Sequence, residues 1–171
     1  TQFSAWRDAF LYFDQGQYFA LITAQHLKNN TVHGCIAVAT SPNLIHWQSH
    51  EPLITPDYFL TMECPLLKKY QDTFYLFVNI DQQWILEHAP DHISHCTGTH
   101  LLSSNNLLGP YTYERCLLNS GTNPNHLLWQ KYQLVPALID ETGLMTCVHW
   151  NGYQDDGYFL GGLSEPYRVQ L

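Results

Sequence analysis

The chain has 171 residues and a formal net charge of −8 at pH 7, with only 7 lysine and arginine residues. This length fits one domain with a sizeable apolar core, and a surface poor in cations disfavours nucleic acid as a partner. No apolar run of about 18 residues and no basic, apolar leader is found, so the sequence predicts no membrane partner.

The five cysteines are odd in number, widely spaced and mostly inside apolar runs. Cysteines in such positions commonly behave as small buried hydrophobes, so we expect free thiols. Free thiols favour a reducing compartment, which predicts a cytoplasmic protein. The first residue is not methionine and an apolar strand begins almost at once, so we also expect further sequence upstream.

Aromatic residues make up 14% of the chain and, with Val, Ile and Thr, they are spread along its whole length, which favours a sheet-rich fold. Three units repeat one order: a hairpin of two apolar runs, a third run, and a small polar turn before an aromatic strand. The units span roughly residues 6–50, 61–115 and 126–171; the third is compressed, and its third run is predicted at 158–163. Such repeats of four antiparallel strands are typical of β-propeller blades. The sequence therefore predicts a single all-β domain, residues 1–171, with about three blades.

Closure of a propeller takes about four to eight blades. The chain is therefore a fragment, pairs with another chain, or closes less regularly. Open blade edges favour association, so a homo-oligomer is a possible assembly. A β-sandwich of similar hairpins is the alternative fold. No convincing helix is found, and residues 81–95 are predicted to form a long surface loop.

Two acids stand in corresponding places, where apolar strands begin. The segment Trp6-Arg7-Asp8-Ala9-Phe10 resembles the Arg-Asp-Pro motif, and Met62-Glu63-Cys64-Pro65 the Glu-Cys motif, of the five-bladed β-propeller glycoside hydrolases of families 32, 43 and 68. The blade endings at 39–47 and 103–111 are similar to those of the same proteins. The resemblance covers residues 6 to about 113 and implies an incomplete five-bladed propeller that acts on fructosides, arabinosides or xylosides.

The same resemblance implies catalytic roles for Glu63, as general acid, and for Asp8, as stabiliser of the transition state. In these families a further Asp, the nucleophile or base, lies upstream of the Arg-Asp motif; only seven residues precede Asp8, and it has no counterpart here. Ala9 also replaces the proline of the motif. Glycoside hydrolysis needs two carboxyl groups on opposite sides of the bond. A non-catalytic carbohydrate-binding or assembly module is therefore the alternative to a hydrolase.

Further side chains are predicted to bind substrate: Arg7, Trp6 and Trp84, and also His100, for which the resemblance implies a position facing the central funnel. The alternatives are a local ion pair for Arg7, a satisfied core histidine or an ion anchor for His100, and blade-core packing for the tryptophans. Zinc could bind the donor-rich segment that holds His88, His92, His95 and Cys96. Their spacing matches no closed structural site, and a solvated loop is the commoner outcome. We therefore predict no metal and no other cofactor.

Overall fold

In the computed structural model of the protein, residues 5–120, 131–154 and 156–171 are described. The start of the third predicted unit, 126–130, lies outside this range. The described residues form eleven strands and one short 3₁₀ helix, Gln82–Trp84, and none forms a helix with the length and apolar character that a membrane crossing needs. The strands are β1 (Trp6–Asp14), β2 (Gln17–Lys28), β3 (Thr31–Ser41), β4 (Gln48–Ser49), β5 (Glu63–Tyr70), β6 (Thr73–Ile80), β7 (Gly98–Ser104), β8 (Thr112–Asn119), β9 (Lys131–Ile139), β10 (Leu144–Asn151) and β11 (Tyr167–Gln170).

The strands build three antiparallel sheets, one for each predicted blade. Two have four strands in the order β1-β2-β3-β4 and β5-β6-β7-β8, and the third has the order β11-β10-β9. The predicted all-β fold with three blades is confirmed. In the third sheet the run predicted at 158–163 forms only isolated bridges. Gly157, Gly161 and Gly162 have φ values of +84°, +69° and +73°, which interrupt an extended strand, and β11 pairs with β10 instead.

Tight turns set the register of the first blade. Gln15-Gly16 and Asn29-Asn30 connect its hairpins with positive φ at both positions, 46° and 80° in the first turn and 51° and 63° in the second. Two-residue turns of this kind match the right-handed twist of the flanking strands. Polar residues that tolerate a left-handed backbone therefore mark both hairpins in the sequence.

The second sheet is buried on both faces. Successive residues of a strand point to opposite faces, so Leu76 and Val78 pack with Phe59 against the first blade, while Phe77 packs with Leu134 against the third. The two cores therefore place the three sheets side by side, with the second between the others. Large apolar side chains are exposed on the first sheet, on the third sheet and in the connection between β10 and β11; they are Leu11 and Phe13, Leu138 and Trp150, and Tyr158, Phe159, Leu160 and Leu163, respectively.

Candidate functional site

The first strand of every sheet carries the same one-residue bulge near its start. In each case the next paired residue is three positions further along that strand but only two positions further along its neighbour. The residue after the last regular pair has a positive φ: 55° at Asp8, 49° at Cys64 and 50° at Gln133. A bulge of this type bends the strand and re-aims the side chains beside it. The paired positions before the bulge are Arg7↔Thr23, Glu63↔Asn79 and Tyr132↔Trp150.

The register corrects one expectation from the sequence. Asp8 and Glu63 were expected in corresponding places, but Glu63 corresponds to Arg7, and Asp8 corresponds to Cys64. The motifs are offset by one residue because the bulge inserts its extra residue after Arg7 in one blade and after Glu63 in the other. A cation and an anion therefore occupy the same position in adjacent blades.

Arg7 contacts both acids. Its Nη2 donates to Oε1 of Glu63, and its Nε lies 3.4 Å from Oδ2 of Asp8. The hydrogen bond to Glu63 raises the pKa of Arg7 above its ordinary value. The side chain of Glu63 is 15% exposed, compared with 36% for Asp8 and 47% for Arg7. Both carboxylates thus gather around one guanidinium, and Glu63 is the more enclosed of the two.

Contacts from the first blade hold the segment that carries Glu63. The backbone N–H of Cys64 donates to the buried hydroxyl of Thr23 over 3.0 Å, and Gln25 Nε2 donates to the carbonyl of Leu60 over 2.8 Å. A Cβ atom on Gly34 would lie 2.7 Å from Cα of Thr61, so only glycine permits this approach. The backbone on both sides of Glu63 is therefore fixed against β2 and β3.

A cleft of about 360 Å³ opens beside Arg7. Its volume lies at the lower end of the range of about 300–1,000 Å³ that is usual for small-molecule sites. The 3₁₀ helix supplies Trp84, whose carbonyl accepts a hydrogen bond of 2.8 Å from the N–H of Leu60. Within the described residues the buried Thr61 hydroxyl has no hydrogen-bond partner. The lining residues are Ala5, Arg7, Gln25, Val32, Leu60, Thr61 and Trp84.

The structure thus brings Glu63 and Asp8 to Arg7, and Arg7 shares the cleft with Trp84, whereas the two acids lie outside its lining. Trp6 is 51% exposed at the start of β1, and strand alternation turns it away from Arg7. Sequence reasoning missed Gln25 and Thr61. In the sequence, Gln25 stands out only as the polar residue that follows the apolar run 18–24. Thr61 stands out only by its place two residues before Glu63.

His100 lies away from this cleft, in the core between the first two sheets. It is fully buried, its Nδ1 is 2.9 Å from the Tyr113 hydroxyl, and its Nε2 is 3.0 Å from the carbonyl oxygen of Cys96. Its environment is that of a core histidine, both of whose ring nitrogens contact polar atoms. Cys116 hydrogen-bonds Cys96 and lowers the pKa of the Cys96 thiol to about 5; the same contact, with burial, raises the pKa of Cys116.

The loop that holds His88, His92, His95 and Cys96 does not form the zinc site that was considered from the spacing of these residues. His88 contacts the backbone oxygen of Asp57 at 3.1 Å, and the ring of His92 lies 6.3 Å from that of Tyr113. All five cysteines are free, as predicted. Over 5–120, 131–154 and 156–171, the one group of three metal-type ligands is Cys96, His100 and Cys116.

No protein-family model and no curated protein sequence matches this chain. Solved structures do match its fold. An inulosucrase from Halalkalicoccus jeotgali, bound to kestose, is 20% identical with a TM-score of 0.76 over 98% of this chain and 48% of that one. A levansucrase from Bacillus subtilis is 11% identical with a TM-score of 0.72, over 96% and 47%. The β-fructofuranosidase catalytic domain from Microbacterium saccharophilum K-1 is 15% identical with a TM-score of 0.68, over 97% and 43%.

The chain spans about half the length of the solved structures it matches. Its fold is that of part of a five-bladed propeller of glycoside hydrolase families 68 and 32. The resemblance inferred from the two motifs is thereby confirmed at the level of the fold.

Proposed function

We propose that this chain forms part of a carbohydrate-active, glycoside hydrolase-like propeller whose cleft beside Arg7 binds a fructoside. Glu63 serves as general acid and Asp8 as stabiliser of the transition state. The observation that carries the proposal is the contact of one guanidinium, that of Arg7 in the cleft lining, with both carboxylates. Two structures of similar fold, the inulosucrase bound to kestose and a levansucrase complexed with sucrose, support a fructoside over an arabinoside or xyloside.

The proposed roles follow from the chemistry of glycosidic bonds. Departure of the leaving oxygen needs a proton, and the positive charge that develops on the sugar needs a nearby anion. Glu63 is enclosed enough to donate to a bound sugar, once substrate hydroxyls draw Arg7 away from it. Asp8, which is more exposed, supplies the stabilising charge. Trp84 offers an apolar face for a sugar ring, and Gln25 and Thr61 offer hydrogen-bonding groups.

The Glu63→Gln variant tests the proposal. Glutamine keeps the shape of the side chain but cannot donate the proton, so hydrolysis of sucrose, kestose or a chromogenic fructoside should be abolished while the thermal midpoint stays close to that of the wild type. Glu51→Gln, at an exposed position of the first blade, is the matched control and should turn over normally. Unchanged turnover by Glu63→Gln would remove the assignment.

A second candidate is a non-catalytic carbohydrate-binding or assembly module. Large exposed apolar side chains on the outer faces of the first and third sheets favour association with a second copy. Calorimetric binding of kestose without turnover by the wild type selects this candidate over the hydrolase. Sedimentation of the chain as a strict monomer at micromolar concentration excludes the homo-oligomer.

A further inference from the structure

Three metal-type ligands converge between the end of the long 81–97 loop and the strands β7 and β8. Cys96 precedes β7, and the register pairs His100 of β7 directly with Cys116 of β8. Sγ of Cys96 lies 3.9 Å from Nε2 of His100, and the ligand atoms of all three residues lie within 4.8 Å of one another. Cross-strand pairing therefore places His100 beside Cys116, and the end of the loop places Cys96 next to both.

These distances suit a small tetrahedral site. With zinc–sulfur bonds of about 2.3 Å and zinc–nitrogen bonds of about 2.0–2.1 Å, tetrahedral angles put sulfur and nitrogen about 3.6 Å apart and the two sulfurs about 3.8 Å apart. The observed 3.9 Å between Cys96 and His100 needs only a small contraction. Two thiolates with one imidazole form a donor set that soft or borderline cations prefer.

We propose that Cys96, His100 and Cys116 bind one Zn²⁺ ion, with the fourth position open to a water molecule. Cys96 and Cys116 are partly exposed whereas His100 is fully buried, so the ion enters from the side of the thiols. Binding exchanges protons for metal: the two thiols release the protons they carry to solvent, the neutral imidazole binds as the tautomer with its proton on Nδ1, and no electron transfer takes place.

Tyr113 acts as a positioning residue for the imidazole. Its hydroxyl lies 2.9 Å from Nδ1 of His100 and accepts a hydrogen bond of 3.2 Å from the N–H of Ser94. Nε2 contacts the carbonyl oxygen of Cys96 at 3.0 Å and lies 3.9 Å from the sulfur of the same residue, so the metal would replace the carbonyl contact. A hydrogen-bond partner at Nδ1 is usual for zinc-bound histidine. Once Nε2 binds the ion, Nδ1–H donates to the tyrosine oxygen.

The consequence is local. Zinc would fasten the end of the 81–97 loop to the second blade, and this loop also carries Trp84 of the cleft. Because an ion that binds only the folded state stabilises it, zinc should raise the thermal midpoint of the protein.

Cobalt substitution tests the site on the whole chain, reduced with a phosphine and freed of metal. We expect one Co²⁺ per chain with a thiolate charge-transfer band and the visible spectrum of tetrahedral cobalt, both removed by one equivalent of Zn²⁺. Tyr113→Phe should weaken zinc binding about 10–100-fold, the usual effect of removing the hydrogen-bond partner of a metal-bound histidine. Cys96→Ser and His100→Gln should weaken it further, while Cys35→Ala, which removes a buried thiol outside the cluster, should bind as the wild type does.

Several outcomes would overturn the proposal. They are the lack of a charge-transfer band in the reduced wild type, an unchanged band in Cys96→Ser, and an equal loss in Cys35→Ala. A Cys96–Cys116 disulfide whose reduction yields no metal binding also counts against it. Since Cys96 is partly exposed, its serine variant should fold, and circular dichroism of the metal-free proteins checks this.

Discussion

Arg7 and Glu63 are 56 residues apart, yet they form an ion pair that joins the first strand of one blade to the first strand of the next. Both stand immediately before the same bulge, paired with Thr23 and Asn79 of the neighbouring strands. Because adjacent blades repeat one geometry, equivalent positions face each other across the boundary between blades. The repeat itself therefore brings the cation to the anion.

Replacing Arg7 by methionine should separate stability from sugar binding. An ion pair with one largely exposed partner contributes about 0–1 kcal/mol to stability, so urea unfolding should change little. Hydrogen bonds from a charged group contribute about 1.5–3 kcal/mol, so the affinity for kestose in calorimetry should fall about 10–100-fold. Arg7→Lys keeps the charge and should lose less. Unchanged affinity in the methionine variant would contradict a role for Arg7 in binding.

Thr23→Val should destabilise the protein more than Thr23→Ser. Valine keeps the shape of the fully buried side chain but removes the acceptor of the Cys64 N–H, and an unsatisfied buried donor costs about 1–3 kcal/mol. Serine keeps the acceptor and loses one methyl group, at about 0.8 kcal/mol. Free energies of unfolding in urea measure the difference. A valine variant as stable as the serine variant would show that the contact contributes little.

Gly34→Ala should reduce both stability and sugar affinity. The added Cβ would meet the Thr61 backbone at 2.7 Å, and overpacking of this kind costs about 1–3 kcal/mol. Movement of Thr61 also displaces Glu63, which follows two residues later. Gly157→Ala is the control: its Cβ meets nothing within 4 Å, and its positive φ costs about 1–2 kcal/mol. Gly157→Ala should therefore lose stability but keep its affinity for kestose. An equal loss of kestose affinity in both variants would contradict a link between Gly34 and the cleft.

Asp140→Ala should destabilise the third blade in a pH-dependent way. Hydrogen bonds from the Thr142 hydroxyl and from the N–H groups of Thr142 and Leu144 hold the pKa of Asp140 below its ordinary value. A carboxylate with a lowered pKa contributes stability above its unfolded value of about 3.9, and this contribution is lost as the pH falls through the folded value. The difference in thermal midpoint from the wild type should be largest at pH 7 and shrink in acid.

Asp140→Asn is the matched variant for this loop. It keeps the oxygen that accepts the three hydrogen bonds but has no charge, so it should lose less stability than the alanine variant at pH 7. A difference between alanine and wild type that stays constant from pH 7 into acid would contradict the role of the ionised side chain.

Local patterns in the sequence were sufficient to predict the blades. Turn residues such as Gln15-Gly16 and Asn29-Asn30 mark the hairpins, and apolar runs mark the strands between them. The offset between Asp8 and Glu63 escaped prediction because a bulge adds a residue without altering the apolar pattern. The third sheet differed because three positive-φ glycines interrupt the run at 158–163.

The cysteine–histidine cluster shows a different limit. Histidines near Cys96 in sequence suggested a site within one loop, whereas its actual neighbours, His100 and Cys116, lie on two paired strands. Their proximity depends on a register with two irregularities between β7 and β8, which spacing alone does not disclose. The contact of Arg7 with Asp8 and Glu63 was easier to anticipate, because these residues stand in short, contiguous motifs.

The bulge shared by β1, β5 and β9 has an evolutionary consequence. The residues just before it are Arg7, Glu63 and Tyr132, so the backbone there accepts a cation, an anion or an aromatic residue without a change of path. A single substitution at such a position can change the charge or polarity of the side chain there without changing the fold. New specificities in descendants of this chain are therefore expected to begin at these three places.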